Sequence, residues 1–140
     1  MQTVNENTAQ EALEARKTVR DRIELLRSRV SLLTGRDKLL MTMYLENGNT
    51  FRQMARLAGV NEASIARRIH KVTKRLIDGE YITCLRNRDK FTEAELAAAK
   101  DYFLLGLSQR KIGLKRNCST YQVRKILKRI QQLVKVTEKI

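Results

Sequence analysis

The stretches "ASIARRIHK" (63–71) and "TYQVRKILK" (120–128) interleave cationic and amide side chains with an apolar period. The first carries Ser64, Arg67, Arg68 and Lys71; the second carries Thr120, Tyr121, Gln122, Arg124, Lys125 and Lys128. A guanidinium fork fits a phosphate or the O6/N7 edge of guanine, and a glutamine amide fits the N6/N7 edge of adenine. Each such base contact discriminates by ~1–3 kcal/mol. For any one residue the plain alternative is a solvated basic helix face. A second set, Thr50, Arg52 and Gln53 with Ser108, Arg110 and Lys111, lies where two short helices should begin. Amide groups and the helix dipole favour a phosphate there.

This chemistry needs helices that turn those residues to one side. Ile65, Ile69, Val72 and Leu76 are spaced four, three and four, which predicts a helix with one apolar stripe. Glu62 and Ala63 then join the cations on the exposed face. Val123, Ile126, Leu127, Ile130 and Val134 predict a second such helix. Asn61, and Ser119 with Gln122, are the expected N-caps. Thr50 with Gln53, and Ser108, open the short helices that precede them, and Thr92 with Glu95 makes a capping box further along. Thr34 with Asp37 is a weaker cap of the same kind.

Sliding the chain by 58 positions superposes these pieces without a gap. Thr34 falls on Thr92, Tyr44 on Tyr102, Gly48 on Gly106 and Arg52 on Arg110. Ala55 falls on Gly113, Gly59 on Asn117, Val60 on Cys118 and Ile65 on Val123. Two short helices joined by a tight turn need a small residue at their crossing and a left-handed residue in the turn. Ala55 and Gly113 meet the first need, Gly59 and Asn117 the second. Val60 and Cys118 are expected to plug the core beneath the turn.

The stretch "TGRDKLLMTMYLENGNTFRQMARLAGVNEASIARRI" and its echo "FTEAELAAAKDYFLLGLSQRKIGLKRNCSTYQVRKIL" resemble the helix-turn-helix DNA-binding superfamily. By layout they are similar to the promoter-reading region 4 of sigma-70-type factors, present twice. Gly113 and Asn117 depart from the usual Ala and Gly, and nothing resembles a sigma factor's polymerase-docking region. "RLIDGEYI" resembles the start of a wing in winged-helix regulators. The resemblance implies that the second helix of each unit reads the major groove.

Composition agrees with a basic helical protein. The 140 residues include no proline and 5% aromatics, and 29 Lys+Arg against 15 Asp+Glu give a net charge of +14. That excess favours a polyanion, with nucleic acid ahead of membrane. Residues 1–34 carry a net of only +1, and nine Lys/Arg but no acid stand between Asp101 and Glu138. No apolar run reaches a membrane span. Two cysteines and one histidine support neither a disulfide framework nor a zinc site. His70, Tyr44 and Tyr102 read as surface or packing residues, and no nucleophile–base pair, metal motif or cofactor loop stands out.

The expected architecture is all-α, in three segments. Residues 1–34 form a long helix starting near Ala9 after a Thr8–Glu11 capping box. Residues 35–90 and 91–140 are two tri-helical units in tandem, with a short strand near residues 80–85 from the alternating "EYITCL". Val19, Ile23, Leu26, Val30 and Leu33 make a heptad stripe that fits either a homodimer or the chain's own next helices. The function expected is a sequence-specific regulator of transcription on double-stranded DNA, cytoplasmic and associated with the nucleoid, and not an enzyme. The alternative is an adaptor that binds RNA polymerase or a sigma factor through the same units.

Overall fold

A computed structural model describes residues 2–138. Helix α1 spans Gln2–Arg29 and tightens into a 3₁₀ turn at Val30–Leu32. Then come α2 (Gly35–Leu45), α3 (Phe51–Ala58), α4 (Glu62–Asp78) and α5 (Glu80–Arg86). A 3₁₀ turn at Arg88–Lys90 leads to α6 (Glu93–Ala99), which runs on as a π turn over Lys100–Leu104. Helices α7 (Gln109–Arg116) and α8 (Thr120–Glu138) complete the chain. The fold is all-α, with no strand among the described residues.

The strand expected near residues 80–85 is helix α5 instead. Tyr81, Ile82 and Cys84 are buried and Leu85 half-buried. That spacing suits one helical face as well as a pleat, and packing against α4, α6 and α8 decides for the helix. The same helix removes the wing. Gly79 makes the break before it, because a Cβ there would strike the Arg75 carbonyl oxygen.

Helix α1 also departs from expectation. It begins at Gln2, so Thr8 lies inside it rather than at its cap. The heptad stripe divides in two. Leu26, Val30 and Leu33 are buried against the chain's own helices, while Val19 and Ile23 stay exposed. Two guanidinium anchors fix the buried end. Arg27 donates to the Leu45 carbonyl at 3.0 Å, and Arg29 donates to the Leu76 and Ile77 carbonyls at 2.6 and 3.0 Å. The second anchor places a cation at the negative end of α4, where the helix dipole favours it. Burial, and then the neighbouring charge of Arg86, lower the Arg29 pKa.

One hydrophobic core runs from Leu26 through Met41, Met54, Leu76, Tyr81 and Leu104 to Val134. The elements on either side of α5 therefore share an interior. Each large aliphatic side chain buried there stabilises by ~1.5–3 kcal/mol relative to exposure.

Candidate nucleic-acid interface

The two candidate reader helices are built alike. The Asn61 side chain accepts the Ser64 amide at 2.8 Å and opens α4. The Ser119 hydroxyl accepts the Gln122 amide at 3.1 Å and opens α8. Buried Ile65, Ile69, Val72 and Leu76 seat α4 through a single stripe. Val123, Leu127, Ile130 and Val134 do the same for α8, each 58 residues later.

The turns before the readers correspond as well. Gly59 sits at φ 68° and ψ 29°, and Asn117 at φ 57° and ψ 44°. Both lie in the left-handed region, where glycine is unstrained and asparagine is tolerated better than most residues. The Val60 amide donates to the Ala55 carbonyl at 3.1 Å, and the Cys118 amide to the Gly113 carbonyl at 2.8 Å. Ala55 and Gly113 are both buried at the crossing. A Cβ on Gly113 would come within 2.7 Å of the Cys118 carbonyl oxygen, so this crossing requires glycine. The expected core plugs are corrected: Val60 is 38% exposed and Cys118 only half-buried. Ile65 and Val123, one turn into the readers, carry that packing.

On the exposed side of α4 stand Arg67, Arg68 and Lys71, with Ser64 half-buried behind them. Arg67 donates to the Ser64 hydroxyl at 3.3 Å. Arg68 is held differently: its Nε and a terminal nitrogen grip the buried Asp37 carboxylate at 2.7 and 3.0 Å. That bidentate pair ties α4 to the start of α2, and it explains why Asp37 does not close a cap with Thr34. The Arg68 side chain remains 44% exposed.

On α8, Thr120, Tyr121, Gln122, Arg124, Lys125 and Lys128 are all exposed. Gln122 is turned back onto the helix start, where its oxygen accepts the Ser119 amide at 2.9 Å. Pairing with adenine would have to compete with this capping box. Arg124 reaches Gln109 at 3.5 Å. Lys125 falls 58 residues after Arg67 and is its counterpart.

The expected phosphate positions are exposed at the starts of α3 and α7. Thr50 and Gln53 bind each other's backbone amides in a full capping box at 3.1 and 2.9 Å, leaving Arg52 as the projecting cation. In α7 the Ser108 hydroxyl accepts the Lys111 amide at 3.2 Å, and the Arg110 and Lys111 side chains both project.

Sequence reading missed an ionic cluster beside this face. Asp101, fully buried on the π turn, accepts Lys115 at 2.8 Å and Arg116 at 2.9 and 3.3 Å. Burial alone would raise the Asp101 pKa, but the hydrogen bonds and charges of Arg116 and Lys115 outweigh it and hold the carboxyl below its ordinary value. Glu95 closes its cap with Thr92 and also faces Arg129 at 3.4 Å. The one advance signal was the Glu95 capping box.

Other candidates separate from the face. His70 is exposed, edge-on to Phe51 at 6.2 Å, and Phe51 stacks on Tyr44 at 5.4 Å. The Cys84 thiol is buried, and that burial, followed by the charge of Glu80, pushes its pKa up to about 11. Among the described residues no cluster of His, Cys, Asp or Glu could hold a metal ion, and no helix is long and apolar enough to cross a membrane. No family model, no curated protein and no solved structure matches the chain.

Proposed function

We propose that the protein is a sequence-specific regulator that reads double-stranded DNA with α4 and α8, each the second helix of a helix-turn-helix unit. The observation that carries this reading is the double construction of the reader. The small residue at the crossing, the left-handed turn, the side-chain N-cap and the four-residue apolar stripe recur at one offset of 58 residues. In both copies the opposite face is cationic and exposed. Arg67 and Lys125 are the leading base or phosphate contacts. Arg52, Arg110 and Lys111 are the backbone contacts of the preceding helices. Under this reading the protein acts at the nucleoid.

Selection from random duplex oligonucleotides tests it. The intact protein is expected to enrich one motif, Arg67→Ala to relax one part of it and Lys125→Ala the other. Recovery of no motif overturns sequence-specific reading. If six to ten phosphates are neutralised, affinity should drop about 10³–10⁵-fold between 50 and 200 mM salt; a flat titration counts against a phosphate-bound interface.

The exposed Leu57 and Leu114, at 73% and 77%, favour a second reading in which α3 and α7 also touch RNA polymerase or a sigma factor. Retention of DNA binding but loss of transcriptional output in Leu57→Ser and Leu114→Ser would support it.

A further inference from the structure

Helix α1 is exposed along residues 7–25 yet carries Leu13, Val19 and Ile23, at 63%, 57% and 36% exposure. A helical arm that packs only at its C-terminal end is marginal in water on propensity alone. Val19 and Ile23 form one wall of a groove of about 490 Å³, whose other side includes Tyr44 of α2 and Ile69 of α4. Arg22 and Arg27 also line it. An apolar groove with two cations, on a chain of net charge +14, calls for an occupant that is amphipathic and acidic.

Helix α1 itself supplies one. Residues 7–15 hold two acidic groups, Glu11 and Glu14, and no basic ones, with Leu13 between them; residues 16–29 hold six basic and two acidic groups. A parallel pair of such helices would set acid against acid and base against base. An antiparallel pair sets the acidic part of each against the basic part of the other, and a two-fold axis makes the contact reciprocal. We propose that α1 pairs antiparallel with α1 of a second copy. Residues 7–15 of each then lie over the 19–27 groove of the other, Ala12 continuing the Val19–Ile23 stripe toward it and Glu11, on the same side of α1 as Arg22, meeting Arg22 of the other copy. The inference stands apart from the DNA-reading function.

The test is solution mass by sedimentation equilibrium, with helix content checked by circular dichroism. The intact chain is expected at twice its 16.3 kDa. Glu11→Lys/Glu14→Lys and Arg20→Glu/Arg22→Glu, all exposed positions, should each be monomeric. An equimolar mixture of these two variants should return to the dimer, because their charges again complement. A monomeric intact chain, dimers in either charge variant alone, or a mixture that stays monomeric would each overturn the proposal.

Discussion

At the crossing of α3 and α4 the chain uses Ala55 and Gly59; at the crossing of α7 and α8 it uses Gly113 and Asn117. Glycine has moved from the turn to the crossing. In the first copy an open left-handed turn, with nothing within 4 Å of where a Cβ on Gly59 would lie, takes the glycine. In the second, the Cys118 carbonyl approaches the helix and the crossing takes it. The backbone outcome is the same, so the geometry constrains the pair of positions jointly rather than either alone. The struts differ too. Arg68 on Asp37 bridges α2 and α4, whereas Lys115 and Arg116 on Asp101 bridge the π turn and α7.

The largest expected effects test whether the two copies share one interior. Ile69→Ala and Leu127→Ala, each 2% exposed, should cost about 2–5 kcal/mol. Both should lower the same single thermal transition, because the core is continuous. Two separate transitions, each moved by one variant, would divide the copies.

Gly113→Ala comes next and should cost about 1–3 kcal/mol through overpacking against Cys118. Ala55→Gly should cost no more than ~1 kcal/mol, the entropy of a helical glycine. Equal losses in denaturant titrations would remove the distinction between the crossings.

Asp101→Asn should cost about 1–3 kcal/mol, because it leaves Lys115 and Arg116 without a charged acceptor. Asp37→Asn should cost less, about 1 kcal/mol, since it releases one cation rather than two and its carboxylate is the less deeply buried. Linkage fixes the pH dependence of the first. The Asp101 carboxyl, ordinarily titrating at 3.8, is lowered in the fold. Its stabilisation is therefore complete above that value and lost as pH falls through the folded one. Acid titrations of wild type and Asp101→Asn should converge at low pH; parallel curves would show that the pair contributes no linkage.

The smallest effect compares the caps. Asn61→Ala and Ser119→Ala should each cost ~1 kcal/mol, because each removes one side-chain acceptor of a first-turn amide; clearly unequal losses in thermal unfolding would separate the two caps.

Local signals made much of this fold legible. Asn61, Thr50, Ser108 and Thr92 mark helix starts by satisfying their own first-turn amides, which needs only neighbouring residues. The stripes of α4 and α8 follow from 3.6-residue periodicity. Contacts between distant residues were not legible in this way. Nothing near Asp101 in sequence announces Lys115 and Arg116, fourteen and fifteen residues on. Nothing in "KDYFLL" announces a π turn. "EYITCL" misled because its β-branched residues satisfy two periods at once, and only the surrounding helices choose between them. For the candidate face, sequence placed the cations on the exposed side of α4 and α8. It also paired Ser119 with Gln122 in a cap, as found, but it did not foresee Asp37 gripping Arg68, which depends on side-chain reach.

The buried thiol of Cys84 gives the molecule a built-in reporter. With its pKa near 11, almost none of it is thiolate at neutral pH, and the folded chain shields it from electrophiles. Half-buried Cys118 is the accessible sulfur. A thiol reagent should therefore label one site per native chain and two per unfolded chain, so pulse labelling would follow opening of the helices around α5 without any introduced probe.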